Sequence, residues 1–311
     1  MDKSPYLKIF ISVAVVTILI TIVVKYAKPS ETYVKCPVLT TNRTLKYIQP
    51  FVEKRVYNDS PQKIPRIIVQ TNEYENVPTD MYNSIQTIIN DNPDYDYMYY
   101  DNISMRMFLV ENYSDKVIDA FDKLIPGAYK ADLFRYCFLY KFGGVYIDTG
   151  MISVKGLHYM IDPLDTFISA EDNGTGGIYN AFMASTPNHP IIGTAIEMTI
   201  TNIQNNFYGK NALDITGPSL LARAFESALF NGVKVSIQPN KSYGNGIKLI
   251  KFKKTDDCTG SGMLSVSSVA SVNVLQTKYP TYYIDAKWYN TNEHYSKLWN
   301  SRRVYRYFFS L

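Results

Sequence analysis

The stretch of residues 129–148 constrains the fold of this chain more than any other part of its sequence. Tyr129–Phe142 carries apolar side chains at helical spacing, and Gly143 and Gly144 follow at a point where helices commonly end. Val145–Asp148 is then a short apolar run, typical of a buried strand, that ends in a carboxylate. A helix that leads through two glycines into a buried strand indicates an α/β domain.

Strands and helices alternate on both sides of this stretch. The predicted strands are Ile64–Gln70, Tyr95–Tyr100, Phe167–Ala170 and Ile178–Ala184, and the predicted helices are Thr79–Asn90, Ile103–Asn112, Ser114–Leu124, Ile191–Asn205 and Pro218–Phe230. Residues 233–284 have the pattern of short strands and turns. This order predicts a mostly parallel sheet covered on both faces, whose ligands bind beyond the carboxyl ends of the strands, near Asp148.

The amino terminus is strongly apolar. Ile9–Val24 contains sixteen residues without a charge and has lysines on both sides, which predicts a transmembrane helix over about residues 9–26 within a signal anchor, residues 1–28. A cleaved signal peptide is the alternative, but the run exceeds the usual ~7–15 residue core and no small-x-small cleavage site follows it. The basic residues balance across the span, so charge leaves its orientation open.

Beyond the anchor, the sequence predicts a stem and one folded domain. Residues 29–62 are polar and contain four prolines without a sustained period, so they are interpreted as a stem, and residues 63–311 as the domain. Asn-x-Ser/Thr sequons weakly favour a lumenal, glycosylated domain; they lie at Asn42, Asn58, Asn102, Asn112, Asn173 and Asn240.

Composition excludes some classes of function. The net charge of +4 comes from 32 basic and 28 acidic residues spread along the chain, which indicates no nucleic-acid partner. No G-x-G-x-x-G turn follows the first predicted strand, which argues against a nucleotide-dependent dehydrogenase. The cysteines Cys36, Cys137 and Cys258 show no metal spacing; a disulfide between Cys36 and Cys258 is open, and Cys137 is expected in the core.

Two charged residues stand out on the helix of residues 129–142. Asp132 and Arg135 are three residues apart and therefore share one helix face. One interpretation is a surface ion pair, worth about a few tenths of a kcal/mol. The other is a ligand site, because the same helix leads into the strand that delivers Tyr146 and Asp148 to one end of the sheet.

These residues resemble a known family. Asp-x-x-Arg-Tyr, followed by Leu-Tyr-Lys-Phe-Gly-Gly-Val-Tyr-Ile-Asp, is similar to the sugar-binding region of the DXD-containing glycosyltransferases of family 32. That family includes yeast initiating α-1,6-mannosyltransferase, inositol-phosphoceramide mannosyltransferase and lactosylceramide α-galactosyltransferase. Residues 64–71, 180–190 and 216–218 extend the resemblance, which covers roughly residues 63–230.

The resemblance implies a GT-A fold, which is a Rossmann-like α/β domain that binds a nucleotide-sugar. It implies transfer of a hexose (mannose, galactose or glucose) from a GDP- or UDP-sugar to a glycan or glycolipid, with retention of anomeric configuration. Together with the predicted anchor, it implies a single-pass type II membrane protein with its catalytic domain in the lumen of the Golgi or endoplasmic reticulum.

The resemblance also assigns roles to individual residues. The implied catalytic residues are Asp148, Arg135, Asp132 and Asn180, and the implied donor-binding residues are Gln70, Thr71, Tyr146, Asp132, Arg135 and Asp148. Asp132 and Arg135 would hold hydroxyls of the donor sugar, and Asn180 would lie beside the reacting sugar. Gln70 and Thr71 would line the nucleotide pocket.

A divalent metal is the further implication, and here the sequence departs from the family. Mn²⁺ or Mg²⁺ on the diphosphate suits oxygen ligands, but the second aspartate of the motif is replaced by Gly150. Another group could supply the ligand, the diphosphate could hold the metal, or the chain could be an impaired member that binds sugar nucleotide or a partner without transfer. The candidate metal ligands are Asp148, Asp172 and His294, the last matching a carboxyl-terminal histidine of the family.

Overall fold

The computed structural model describes residues 39–306 apart from residues 42, 173–174, 256–259, 267–270 and 291. The predicted membrane anchor, the candidate Cys36–Cys258 disulfide and the sequons at Asn42 and Asn173 involve residues outside this part. Within the described residues, no helix has the length and apolar character needed to cross a membrane. Cys137 is buried and carries a free thiol, as expected for a core residue.

The described part is built from short strands and eight helices. The helices are α1 Thr79–Asp91, α2 Asn102–Asn112, α3 Asp115–Lys123, α4 Gly127–Phe142, α5 Pro190–Gln204, α6 Pro218–Phe230, α7 Tyr282–Tyr289 and α8 Tyr295–Asn300. The strands are β1 Leu45–Tyr47, β2 Phe51–Val52, β3 Ile67–Thr71, β4 Asn76–Pro78, β5 Asp96–Tyr100, β6 Gly144–Ile147, β7 Ile152–Ser153, β8 Phe167–Glu171, β9 Ile178–Ser185, β10 Lys241–Ser242, β11 Ile247–Lys254, β12 Gly262–Val266 and β13 Val272–Gln276. The individual strands and helices predicted from periodicity are confirmed to within a few residues at their ends.

The main sheet runs in the order β2-β5-β3-β6-β9-β8-β11-β12-β13-β7, with β10 paired to β11. Only the pairs β3–β5, β3–β6 and β8–β11 are parallel among the described strands. The prediction of a mostly parallel sheet is therefore wrong, and the sheet is mixed. The reason is local: the connection between β8 and β9, residues 172–177, is too short for the crossover that a parallel pair needs, so these strands run antiparallel.

Part of the predicted stem belongs to the folded unit. β1 pairs with β4, and β2 pairs with β5 at the edge of the main sheet. Ile48, between these two strands, is only 2% exposed and joins the core. The boundary expected near Lys63 therefore lies too late, because strands of two or three residues leave no periodic signal in a segment broken by prolines.

The core occupies both faces of the main sheet, as predicted. On one face α4 is central: Leu133, Phe134, Cys137 and Phe138 are all fully buried. On the other face the α1 side chains, including Ile85, pack over the sheet. Because α4 is buried almost all round, the charged residues that it carries are held inside the protein instead of at its surface.

The two glycines after α4 set where β6 begins. Gly143 has a φ of 68° and donates its N–H to the carbonyl of Leu139, which closes the helix. Gly144 has a φ of 95°, and a Cβ there would lie 2.6 Å from the carbonyl oxygen of Ile67. Only glycine fits this close approach between β6 and β3, which places the end of β6 beside the end of β3.

We predict that Gly144→Ala lowers the free energy of unfolding by about 2 kcal/mol or more, because it adds backbone strain to a steric clash. Gly127→Ala is the matched control, since its Cβ would meet no atom within 4 Å. Urea denaturation followed by circular dichroism measures both. Equal stability of the two variants would contradict the close approach of β6 to β3.

Candidate active site

A cleft of about 580 Å³ opens at the carboxyl ends of β3 and β6, where the sequence places a ligand. Thr71, Tyr146 and Asp148 line it from the sheet, and the first turns of α4 line it from one side. The carboxyl-terminal helices α7 and α8 border it with Tyr282 and Tyr295. The cleft therefore gathers residues from the two ends of the folded chain.

Arg135 bridges two carboxylates at the floor of the cleft. Its Nη2 lies 3.4 Å from Oδ1 of Asp132, and its Nη1 lies 3.3 Å from Oδ1 of Asp148. The guanidinium also lies over the ring of Tyr146, 4.1 Å from the ring centroid. Because the side chains of Arg135 and Asp132 are only 6% and 11% exposed, the interpretation of a surface ion pair is wrong.

Asp132 is held on both of its carboxylate oxygens. Asn180 Nδ2 donates to Oδ1 at 2.9 Å, and Thr216 Oγ1 donates to Oδ2 at 2.7 Å. Asn180 also donates to the hydroxyl of Tyr136 at 3.2 Å, which in turn donates to the carbonyl of Thr216 at 2.8 Å. Burial raises the pKa of Asp132, and the charge of Arg135 together with the Thr216 hydrogen bond opposes that rise.

Sequence reasoning missed two members of this network, Tyr136 and Thr216. Both lie within motifs that resemble the family, Asp-x-x-Arg-Tyr and Thr-Gly-Pro, and this position is the sequence feature that could have indicated their role. Their roles depend on contacts between α4, β9 and the turn before α6, which are far apart in sequence. No spacing rule within one helix or one strand could reveal such contacts.

Asp148 presents the more accessible carboxylate. Its side chain is 43% exposed, in contrast to Asp132, and it lies at the end of β6 facing the cleft. Tyr146 donates its hydroxyl to Asp148 Oδ1 at 2.8 Å, and Thr71 Oγ1 lies 3.2 Å from that same hydroxyl. Oδ1 is thus fixed by Tyr146 and Arg135, and the remaining oxygen is available to a ligand.

Gln70 does not line the cleft, contrary to the prediction that it faces a nucleotide. Its side chain is fully buried, and its Nε2 donates to the backbone carbonyl of Asp148 at 3.2 Å. Tyr97 donates to Gln70 Oε1 at 3.0 Å, which fixes the amide orientation. Gln70 therefore positions the backbone of Asp148, while Thr71, the next residue, reaches the cleft.

The charges of this floor suit a ligand rich in hydroxyls. Burial disfavours the charged form of Arg135, but Tyr146, Asp148 and Asp132 outweigh that effect and raise its pKa, so it stays cationic. With one guanidinium between two carboxylates, the group carries a net negative charge. Carboxylate oxygens accept hydrogen bonds from hydroxyls and would repel a phosphate.

The predicted metal ligands do not assemble in the described part of the chain, where no group of three or more His, Cys, Asp or Glu side chains could hold a metal ion. His294 uses its Nδ1 on Ser296, at 2.7 Å from Oγ, and caps α8. Asp172 accepts a hydrogen bond from Thr175 at 3.0 Å. Metal binding by Asp148, Asp172 or His294 stays a prediction.

Residues 78–171 match the family described as a glycosyltransferase sugar-binding region containing a DXD motif. The chain is 29% identical over 194 residues to inositol phosphoceramide mannosyltransferase 1 of Schizosaccharomyces pombe, a match that covers 60% of this chain and 59% of that protein. It is 32% identical over 138 residues to mannosyl phosphorylinositol ceramide synthase SUR1 of Saccharomyces cerevisiae, covering 44% of this chain and 35% of that protein. The resemblance to the DXD-containing glycosyltransferases is confirmed.

Each match covers less than two thirds of the relative's own length. Among solved structures, the PaToxG glycosyltransferase superimposes with a TM-score of 0.44 and 20% identity, over 54% of this chain and 70% of that one. The DXD-type region, residues 78–171, contains α4 and β6 and therefore Asp132, Arg135 and Asp148. Asn180 and Thr216, which complete the network around Asp132, lie outside it.

The departure from the DXD motif at Gly150 has a structural counterpart. A Cβ at Gly150 would lie 2.7 Å from Cε2 of the Tyr282 ring, and the Gly150 carbonyl accepts a hydrogen bond from Tyr279 N at 2.9 Å. The ring of Tyr282 thus fills the space into which a side chain at position 150 would project. Gly150 and Tyr282 therefore pack directly against each other in the wall of the cleft.

We predict that Gly150→Asp alone lowers the free energy of unfolding by about 1–3 kcal/mol, because the new side chain overpacks against Tyr282. Adding Tyr282→Ala opens the space, so the double variant should be more stable than the sum of the two single changes implies. Urea denaturation of the four proteins in the cycle measures the coupling. A coupling free energy near zero would show that the two positions are not in contact.

Proposed function

We propose that this protein is a retaining glycosyltransferase of the GT-A type that moves a hexose from a GDP- or UDP-sugar to a glycan or glycolipid. The observation that carries the proposal is the buried Asp132–Arg135–Asp148 group at the floor of a cleft, within the DXD-type sugar-binding region. Asparagine and threonine hold the inner carboxylate in place. Such a fixed acceptor array suits the hydroxyls of a hexose.

The roles of the individual residues follow from their surroundings. Asp132 and Arg135 are preorganised by Asn180 and Thr216, so they would bind sugar hydroxyls without rearrangement. Asp148 would meet the sugar or ribose with its free carboxylate oxygen. Thr71 and Tyr146 would form the wall beside it, and Gln70 would act through the backbone of Asp148.

In the proposed reaction, the acceptor hydroxyl oxygen bonds to the anomeric carbon as the bond from that carbon to the phosphate oxygen breaks. The electron pair goes to the phosphate oxygen, which takes the hydroxyl proton on the same face of the sugar. Front-side attack needs no protein nucleophile, and Asp132, whose two oxygens each already accept a hydrogen bond, is a poor one. Mn²⁺ or Mg²⁺ enters the proposal only as an ion carried by the diphosphate.

The acceptor is proposed from the relatives and the predicted anchor. The names of the two yeast relatives refer to mannosyl transfer to inositol phosphoceramide, which favours mannose as the hexose and a phosphorylated sphingolipid as the acceptor. A membrane anchor over residues 9–26 would attach the protein to a membrane, which is where such a lipid is found. We place the catalytic domain in the lumen of the Golgi or endoplasmic reticulum, as a type II membrane protein.

A second function is kept because of Gly150. A member that binds sugar nucleotide or a partner without transfer is favoured by the loss of the second motif carboxylate and by the lack of a cluster of metal ligands among the described residues. A non-transferring member would bind the donor but would not turn it over. Measuring donor binding and turnover together therefore separates the two functions.

The test uses the full chain in lipid nanodiscs with a panel of UDP- and GDP-hexoses, with Mn²⁺, Mg²⁺ or EDTA, and measures release of the nucleotide. We expect turnover with one donor and a loss of at least about 100-fold in kcat for Asp148→Ala. Asp119→Ala is the matched control, since Asp119 is exposed on α3 and away from the cleft.

The outcomes separate the two functions. Donor binding in calorimetry without turnover, with or without metal, would favour the non-transferring member. Neither binding nor turnover with any donor would overturn both proposals. Full activity of the Asp148→Ala protein would show that the floor of the cleft is not the sugar site.

A further inference from the structure

The cleft has a basic end that the sugar site does not use. Four Lys and Arg side chains line it in the described part of the chain: Lys130, Arg135, Lys278 and Arg306. Arg135 is committed to two carboxylates, and Lys278 donates to the hydroxyl of Tyr283. Lys130 and Arg306 remain, and both lie toward the start of α4.

The stem of Lys130 is buried, and its ammonium reaches the cleft without an anionic partner. The residue is 8% exposed as a whole, but its Nζ is not among the fully buried unpartnered atoms, and it makes no hydrogen bond or ion pair with any described residue. Lys130 Nζ lies over the ring of Phe121, 4.8 Å from the ring centroid. Burial lowers the pKa of Lys130, and the charge of Arg306 lowers it further. A partly desolvated ammonium that faces the cleft without an acidic partner is available to an anionic ligand.

The acidic residues near Lys130 are already occupied. Asp122 receives two hydrogen bonds from Arg106, at 2.8 Å from Nε and 2.7 Å from Nη2. Glu73 accepts a hydrogen bond from Asn292. The neighbourhood of Lys130 therefore keeps an excess of positive charge, and an anionic ligand is what it lacks.

The amino terminus of α4 faces the same space. Pro126 precedes the helix and provides no side-chain cap, and the N–H groups of Gly127 and Ala128 have no acceptor among the described residues. A Cβ at Gly127 would meet no atom within 4 Å, so the space in front of these N–H groups is open. Free N–H groups at the start of a sixteen-residue helix attract anions.

We propose that the first turn of α4, with Lys130 and Arg306, is a phosphate subsite of the cleft. The identity of the ligand rests on the proposed function: the phosphate is the diphosphate of the donor, and a phosphorylated acceptor offers the same chemistry. Gly127, Ala131 and Arg135 line one stripe of α4. That stripe runs about 12 Å from the helix start to the sugar site, which a nucleotide-sugar can span.

The test compares Lys130→Met with the wild-type full chain in calorimetric titrations with inorganic pyrophosphate, UDP, GDP, inositol phosphate and the uncharged nucleosides. We expect the variant to bind pyrophosphate and the nucleoside diphosphates at least about tenfold more weakly and the nucleosides unchanged. Lys130→Arg should recover most of the affinity. Lys116→Met, on an exposed lysine of α3, is the matched control and should bind as the wild type does.

Thermal unfolding gives a second readout. Without ligand, Lys130→Met should be as stable as the wild type or more stable, because it removes a partly desolvated charge that has no acidic partner, whereas pyrophosphate should raise the unfolding temperature of the wild type and of Lys116→Met more than that of Lys130→Met. Weakened binding of inositol phosphate alone would assign the subsite to the acceptor. Unchanged diphosphate binding in a Lys130→Met protein that still turns over donor would overturn the subsite and leave the proposed function standing.

Discussion

The buried ion pair on α4 is the interaction on which the site depends. Placing Asp132 and Arg135 inside an apolar helix is costly, because burying charge loses hydration that the ion pair alone does not restore. The compensating contacts come from elsewhere in the chain: Asn180 on β9 and Thr216 before α6 complete the carboxylate. Any arrangement of β9 and α6 that fails to bring these residues together leaves a buried charge unsatisfied, so the ion pair also constrains the fold.

The same constraint explains why Asp132 and Asp148 behave differently although one arginine contacts both. Asp132 is buried and accepts a hydrogen bond on each of its oxygens, whereas Tyr146 and Arg135 contact only Oδ1 of the more exposed Asp148. The Gly143–Gly144 turn makes this division possible, since it brings β6 against β3 and carries Asp148 past the sheet edge. In the proposed site, Asp132 would be the more rigidly held acceptor, and Asp148 would offer the ligand an oxygen that no described residue contacts.

The sequence predicts the local parts of this arrangement well. Periodicity is sufficient for α4, β6 and their order, because these features depend on neighbours along the chain. The spacing of Asp132 and Arg135 left a surface ion pair open, and it was the resemblance of the whole motif that grouped them with Asp148. Prediction from sequence fails where contacts join distant segments. The antiparallel pairing of β8 with β9, the burial of Gln70 and the packing of Tyr282 against Gly150 all depend on chain geometry that a single local pattern does not encode.

Lys130 differs from Asp132 and Arg135, because no described residue compensates its charge. The stem of Lys130 is buried, so an apolar side chain would serve a stable fold at least as well at this position, and a lysine whose ammonium faces the cleft without an acidic partner points to another requirement. In the proposed site, the acidic floor around Asp148 would accept hydrogen bonds from the hydroxyls of the ligand, and the basic start of α4 would meet the phosphates of the same ligand. The net charge of +4 for the whole chain does not reveal this arrangement, because it is the separation of charges within the cleft, and not their sum, that would select such a ligand.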